Sequence, residues 1–333
     1  MRVLVTGGTG YVGGTVAGLL AACGHQPVVL DNLSHSRRDQ LPTGAEFVEG
    51  DIADRALLEN LFSDPANPFH AVLHFAALIE AGESMRTPET FFRNNTASTL
   101  ALLEAVLACG PKKLVFSSTA AVYGEPQSVP IPEDAPLNPT NVYGESKLLV
   151  EHMLRWFNNI HGLRYASLRY FNVAGAPEGP NGVTRGEMHQ PESHLIPLIL
   201  DVALGRRDSI RIYGEDYPTP DGTCVRDYIH VADLADAHLL ALNALETSEP
   251  GKDRLIYNLG NGQGFSVKQV VESARRVTGH PIPVEVQPRR PGDPAFLIAS
   301  SEKATRELGW KPRYTQLDDI LRTAWLWHRK RYQ

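Results

Sequence analysis

Cysteine is scarce in this 333-residue chain, and the three present, Cys23, Cys109 and Cys224, stand far apart. An odd, widely spaced set offers neither a disulfide framework nor a paired metal knuckle, so reduced structural thiols in a cytoplasmic protein are expected. No apolar run approaches the roughly 18 residues of a membrane span. Met1-Arg2 leads at once into a strand and a glycine turn, with no apolar leader core, so neither a membrane partner nor export is expected. Basic residues are not in excess either. With 32 Lys+Arg against 38 Asp+Glu the formal net charge is -6, which counts against nucleic acid as a partner. Histidines are scattered, His70 and His74 falling at and within a strand, so no metal is expected. Internal repeats and low-complexity tracts are absent.

What the chain does contain is alternation. Short β-branched runs at residues 2–6, 27–30, 45–49, 71–75, 113–117 and 165–170 alternate with helical patterns at 12–22, 56–62, 88–108 and 143–161. Strands that are apolar along their whole length belong in a parallel sheet covered on both faces. The expected class is therefore α/β, a doubly wound parallel Rossmann sheet. From the turn-rich run at residues 175–182 onward, prolines and short elements dominate. Helices are expected at 194–204, 231–244, 267–278 and 317–332, and strands near 210–213, 255–259 and 284–287. A dinucleotide-binding domain over 1–174 and a smaller mixed α/β substrate-binding region over 175–333 follow, with 255–259 free to return to the main sheet.

The first strand runs into Gly7-Gly8-Thr9-Gly10-Tyr11-Val12-Gly13. Gly7, Gly10 and Gly13 suit a tight strand-to-helix turn whose bare backbone a pyrophosphate can approach. The helix beginning there points its free N–H groups at the phosphates. A plain βα turn would use glycine too, but here the second strand ends in Asp31, placed to accept both ribose hydroxyls. A carboxylate there repels a 2′-phosphate and favours NAD, a preference that Arg37 and Arg38 temper slightly. Asp51-Ile52 after the third strand falls where the adenine edge would sit.

Tyr143 and Lys147 are four apart in a helical segment and share one face. A free tyrosine, with a pKa of about 10, is a poor base near neutrality. A neighbouring ammonium is expected to lower that value by favouring the phenolate. Thr119, closing the fifth strand, can hydrogen-bond a substrate hydroxyl. A Tyr and a Lys at helical spacing are common by chance. Their position after a strand-end hydroxyl run, behind a dinucleotide turn, is what makes them candidates for proton transfer.

The chain resembles the extended short-chain dehydrogenase/reductases, and among them the UDP-glucose 4-epimerase family, from residue 1 to about residue 327. The resemblance is carried by His74-Phe75-Ala76-Ala77, Phe116-Ser117-Ser118-Thr119, Tyr143-Gly144-Glu145-Ser146-Lys147 and Leu168-Arg169-Tyr170-Phe171-Asn172. The stretches Asp221-Gly222-Thr223-Cys224-Val225-Arg226-Asp227-Tyr228-Ile229-His230 and Arg289-Arg290-Pro291-Gly292-Asp293 narrow it further. It implies tightly held NAD, with Tyr11, Val12, Asn32, Ser36, Phe75, Ala76, Ala77, Asn94 and Phe171 beside it along with Lys147. It implies a UDP-sugar substrate whose diphosphate meets Arg226, Arg290 and Asn172, with Asp293 on the uridine ribose and Tyr213, Ile212 and Arg211 near the uracil. His194-Leu195 stands where many relatives have Asn-Leu, and a substrate contact is implied there too.

The implied reaction is reversible 4-epimerisation of UDP-glucose and UDP-galactose, neutral in redox overall. Tyr143 as phenolate takes the 4-hydroxyl proton through or beside Thr119 while C4 gives hydride to NAD⁺. The 4-keto sugar, tethered by UDP, turns over and receives both back. Glu80 stands where many relatives carry lysine. Leu297 stands where some relatives carry tyrosine against the sugar 2-position, so some acceptance of the N-acetylated substrates is expected. UDP-glucuronate or UDP-xylose epimerisation is the nearest alternative. A 4,6-dehydratase is disfavoured by Ala120-Ala121, where related dehydratases place acids. A non-catalytic NAD-binding regulator usually lacks the Tyr or the Lys. The apolar residues around helices 88–108 and 143–161 suggest burial on two sides. The resemblance implies that these helices form a homodimer.

Overall fold

Val3, Leu4, Val5, Val28, Val29, Val72, Leu73, Leu114 and Val115 have no exposed surface at all. Side chains alternate between the faces of a strand, so both faces of the sheet they form must be covered. In the computed structural model, which describes residues 1–179, 182–248, 253–290 and 293–332, that sheet has seven strands. Their order is Arg254–Leu259, Arg164–Tyr170, Lys113–Thr119, Ala71–His74, Arg2–Thr6, Gln26–Asp31 and Glu46–Glu49. The run from Lys113–Thr119 to Glu46–Glu49 pairs in parallel throughout. Pro291, Gly292, Pro180 and Asn181, named above within longer stretches, lie outside the described residues.

A single break near residue 174 is not how the chain divides. One compact unit comprises Met1–Gly124, Leu137–Arg169 and Ala235–Tyr257, and the other Glu125–Pro136, Tyr170–Leu234 and Asn258–Gln333. The first is built on the main sheet. Leu58 and Phe62 of helix Arg55–Phe62, Leu102 and Val106 of Ser98–Cys109, and Val150 and Leu154 of Val142–His161 pack on its strands. The helical pattern expected over 88–108 is interrupted. Helix Pro88–Phe91 passes through a wide π-turn, Phe92–Ala97, before Ser98–Cys109. Such an insertion redirects one residue, commonly at a functional position, and here it turns Asn95 inward to near-complete burial.

The second unit has its own core. Helix Leu195–Ala203 contributes Ile196, Ile199 and Leu200, helix Val267–Thr278 Val270 and Val271, and helix Leu317–Tyr332 Ile320 and Leu321. Strand Val225–His230 pairs with Gly264–Ser266, Phe296–Leu297 and Asn172–Ala174. No strand was expected at 225–230, because Arg226 and Asp227 break any apolar alternation, yet all six residues are buried. The buried Asp227 explains how. Its carboxylate accepts the backbone N–H groups of Asn261 (2.6 Å), Gly262 (3.0 Å) and Ala299 (3.1 Å), satisfying donors that have no strand partner. Ile210–Tyr213 pairs in parallel with Val284–Gln287.

Candidate active site

The glycine turn is close-packed, and the helix after it starts without a side-chain cap. A Cβ on Gly7 (φ +69°) would lie 2.7 Å from the Ala76 backbone N, and one on Gly13 would lie 2.4 Å from the Gly7 carbonyl oxygen. Those two glycines are therefore demanded by the turn's own packing. Helix Tyr11–Ala22 meanwhile begins at Gly10 with no side-chain cap and no acidic residue in its first turn. The positive dipole end of that helix, with no acidic side chain on it, suits an anion such as a pyrophosphate. Asp31 is nearly buried at its strand end, where it accepts from Thr9 N (3.1 Å), Leu33 N (3.0 Å) and Ser36 Oγ (2.9 Å). A carboxylate has room for about four such bonds, so capacity remains for a ribose hydroxyl. Asn32 donates to Asp51 (2.7 Å), tying the second and third strand ends together. Ile52 packs in the core, Phe75 lies against His238, and Asn94 donates to Asn95.

Thr119, Tyr143 and Lys147 come together in the first unit. Thr119 closes strand Lys113–Thr119 and caps the short turn Ala120–Tyr123 by accepting from Ala121 N (3.1 Å). Tyr143 opens the helix Val142–His161, which Asn141 caps through Gly144 N (2.8 Å). A Cβ on Gly144 would stand 2.6 Å from the Ala121 carbonyl oxygen. Only glycine lets the helix approach the strand end closely enough for the Tyr143 phenol to hydrogen-bond Thr119. Lys147 is 2% exposed, donates to the Ser117 carbonyl (2.9 Å) and lies over the Phe116 ring.

The expected lowering of the tyrosine pKa is reversed in the chain by itself. Burial pushes the Tyr143 phenol up to about 12; the Thr119 bond works against this and the Glu80 carboxylate adds to it. Burial likewise pulls the Lys147 ammonium down to about 7. Two groups removed from water each resist charge, and desolvation outweighs any help one gives the other.

The surroundings hold these groups at several points that the sequence did not disclose. The Tyr143 N–H donates to Ser84 Oγ (3.0 Å), while its carbonyl accepts from Ser146 Oγ (2.7 Å), which in turn accepts from Asn95 Nδ2 (3.1 Å). Glu151, one turn beyond Lys147, accepts from Ser118 Oγ (2.6 Å) and from Arg169 Nε (2.9 Å), and Arg169 also donates to the Tyr123 hydroxyl (3.0 Å). This buried pair fastens the helix to the strand end on either side of Thr119.

A second polar set lies in the second unit. Asp293 accepts from Arg226 (3.2 Å) on one oxygen and from Arg290 (2.9 Å) on the other. Arg226 is nearly buried and also donates to the Val225 and Pro294 carbonyls. The Arg290 guanidinium lies over the Tyr213 ring at 4.9 Å. Asn172 bonds the Tyr228 hydroxyl. On strand Ile210–Tyr213 alternation sends Ile212 into the core and leaves Arg211 exposed beside Glu285. Leu195 packs against the same core, Phe171 is buried, and Leu297 pairs with Arg226 between strands. His194 turns its Nδ1 to Glu187 and Glu192.

Residues 3–260 match the model of the NAD dependent epimerase/dehydratase family. The UDP-glucose 4-epimerase of Streptomyces lividans is 55% identical over 327 residues, covering 98% of this chain and 96% of that protein. The chain belongs to this epimerase family. Two solved relatives agree over nearly their whole length. The UDP-glucose 4-epimerase of Brucella ovis in complex with NAD is 45% identical with a TM-score of 0.92, covering 98% of each chain. That of Bifidobacterium longum in complex with NAD+ and UDP is 37% identical with a TM-score of 0.90, covering 99% of this chain and 98% of its own. The family is NAD dependent. Glu80, expected as a departure from many relatives, accepts from Ile79 N (3.1 Å) through its carboxylate.

Proposed function

We propose that this epimerase-family chain interconverts UDP-glucose and UDP-galactose by inverting C4 of the sugar. The observation that carries the reading is the Tyr143–Thr119 hydrogen bond with Lys147 one turn on, at the end of a parallel strand in the unit that bears the glycine turn. Bound NAD supplies the hydride acceptor and donor, and a positive charge while oxidised. Tyr143 takes the proton from the sugar 4-hydroxyl and returns it after the sugar has turned over. Thr119 holds that hydroxyl and shares its proton. Lys147, anchored on the Ser117 carbonyl, stabilises the phenolate when protonated. Arg226 and Arg290 are the diphosphate ligands, as planar guanidinium groups suit two adjacent phosphates. On nucleotide binding they exchange part of their contact with Asp293 for phosphate, leaving Asp293 free to take the ribose. Firm anchoring of UDP lets the sugar reorient without leaving.

Leu297 supports a broader substrate range, since an aliphatic side chain leaves more room at the sugar 2-position than a phenol ring. The test is to incubate the purified protein with UDP-glucose, UDP-N-acetylglucosamine and UDP-glucuronate and to identify each 4-epimer. Turnover of the first and, more slowly, of the second is expected. Product from UDP-glucuronate alone would replace the reading, and no product from the N-acetylated sugar would remove the broader range. Elimination has no support, for the turn Ala120–Tyr123 contains no acid.

The working form is a cytoplasmic homodimer. Among the described residues no helix is long and apolar enough to cross a membrane, and all three cysteines are free. Trp156 and Ile160 on helix Val142–His161 are 56% and 66% exposed, an apolar pair that water does not favour. Sedimentation at micromolar concentration is expected to give a dimer; a monomer there would overturn this assembly.

A further inference from the structure

The segment leading into helix Leu195–Ala203 reads Glu187-Met188-His189-Gln190-Pro191-Glu192-Ser193-His194, and its charged side chains do not scatter. One ligand atom from each of Glu187, His189, Glu192 and His194 lies within 4.8 Å of all the others. His194 Nδ1 stands 2.8 Å from Glu187 Oε1 and 2.8 Å from Glu192 Oε1, and His189 Nδ1 stands 3.2 Å from the same Glu187 oxygen. One ring nitrogen carries at most one proton, so it cannot donate a full hydrogen bond to two carboxylates at that distance. A cation at the centre answers this convergence. Neighbouring ligand atoms around a tetrahedral ion bonded at 2.0–2.1 Å lie about 3.3 Å apart, near the three contacts of 2.8, 2.8 and 3.2 Å and inside the 4.8 Å that bounds the whole group.

We propose that Glu187, His189, Glu192 and His194 bind one zinc ion that fastens this segment to the start of helix Leu195–Ala203. The donor set selects the class of ion. Two imidazoles suit zinc and its transition-metal neighbours, whereas calcium and magnesium take oxygen alone. Two carboxylates with two neutral imidazoles also balance a divalent charge. The frame is built before any ion arrives. Gly186 packs on the Trp327 indole, where a Cβ would come within 2.1 Å. Met188 joins the small core of Ala176, Val183 and Trp327. With Gly186 and Met188 held on that core, Glu187 and His189 on either side of Met188 bring Oε1 and Nδ1 to 3.2 Å of each other. Glu192 is fixed by accepting from Ser193 N (2.8 Å) and His194 N (2.9 Å), and Ile196, the second residue of the helix, is buried. Ligands supported in this way from both ends hold a metal without reorganising.

The test uses the full-length protein with its NAD, stripped with chelator, given excess zinc and passed through a desalting column before elemental analysis. About one zinc per chain is expected to remain, and zinc is expected to raise the melting temperature. His189→Gln and Glu187→Gln should each weaken zinc binding at least about tenfold, with NAD content and circular dichroism verifying the fold. Cobalt in place of zinc should give the intense visible bands of a four-coordinate ion in the wild-type chain, which keeps the proposal testable where a variant fails to fold. Wild-type protein that retains no zinc, that binds it no better than His189→Gln, or that gives only the weak bands of six-coordinate cobalt would overturn the site.

Discussion

Replacing Tyr143 with phenylalanine is expected to lower kcat for UDP-glucose epimerisation by about 10²–10⁴ while leaving NAD bound. The size of the effect follows from what the phenol does and what it does not do. In the proposed reaction it carries the 4-hydroxyl proton, so its loss would remove a general base in one half and a general acid in the other. It supports neither the glycine turn nor the helix: its backbone N–H and carbonyl, which the substitution keeps, make the bonds to Ser84 and Ser146. The ring stays and only the hydroxyl goes, so packing against the strand end survives. Thr119 and Lys147 cannot substitute, since a threonine hydroxyl is far too weak an acid and Lys147 is engaged with the Ser117 carbonyl. Turnover and bound NAD, measured on the same preparation, decide the matter. A near-normal rate would exclude Tyr143 as the acid and base.

Glu151→Gln is expected to destabilise the first unit by about 3–5 kcal/mol, because it leaves a buried guanidinium without its counter-charge. Arg169 and Glu151 have side chains only 2% and 6% exposed, so water cannot take over the solvation that the carboxylate provides. The chain cannot shed the charge either, since burial opposes it but Glu151 holds the arginine firmly protonated. The same carboxylate also accepts from Ser118, so the amide would in addition present a donor where an acceptor is needed. Chemical denaturation monitored by circular dichroism measures the loss. The paired substitution Glu151→Leu with Arg169→Met is the control: it should be less damaging than Glu151→Gln, as removing both charges leaves neither uncompensated. A stability change below about 1 kcal/mol for Glu151→Gln, within the range of surface pairs, would show that the network is not the fastening described.

Much of this architecture is legible in the sequence, and what is not has identifiable causes. Uniformly apolar strands announce a parallel sheet, and Gly7 and Gly13 announce the close-packed turn after its first strand. The order Thr119, Tyr143, Lys147 is readable because strand end and helix start are local features. Glu151 and Arg169 were invisible as partners: they stand on different elements, and nothing local distinguishes a buried charge from a solvated one. Strand Val225–His230 was hidden for a related reason, since Asp227 satisfies distant backbone donors that no pattern in its own segment reveals. The π-turn at Phe92–Ala97 escaped because a helix with one inserted residue keeps an apolar pattern close to the ordinary period. The direction of the tyrosine shift is not legible because spacing shows the neighbouring ammonium but not the burial of both groups. Glu187, His189, Glu192 and His194 lie close in sequence, but only the backbone path brings their donor atoms to a common centre.

The order in which the chain visits its two units bears on how it is made. Strand Arg164–Tyr170 leaves the ribosome well before its edge neighbour Arg254–Leu259, and residues Tyr170–Leu234 of the other unit emerge in between. At about 5–20 residues per second, the nascent sheet waits several seconds with an unpaired parallel edge exposed, the kind of surface that recruits other strands. The segment Glu125–Pro136 waits longer still, as Ile131 bridges to Ala299 near the end of synthesis. The unit built on the main sheet is therefore no module that can be cut out at residue 174. A fragment ending there would be an open sheet, and the nascent chain passes through that vulnerable form each time it is translated.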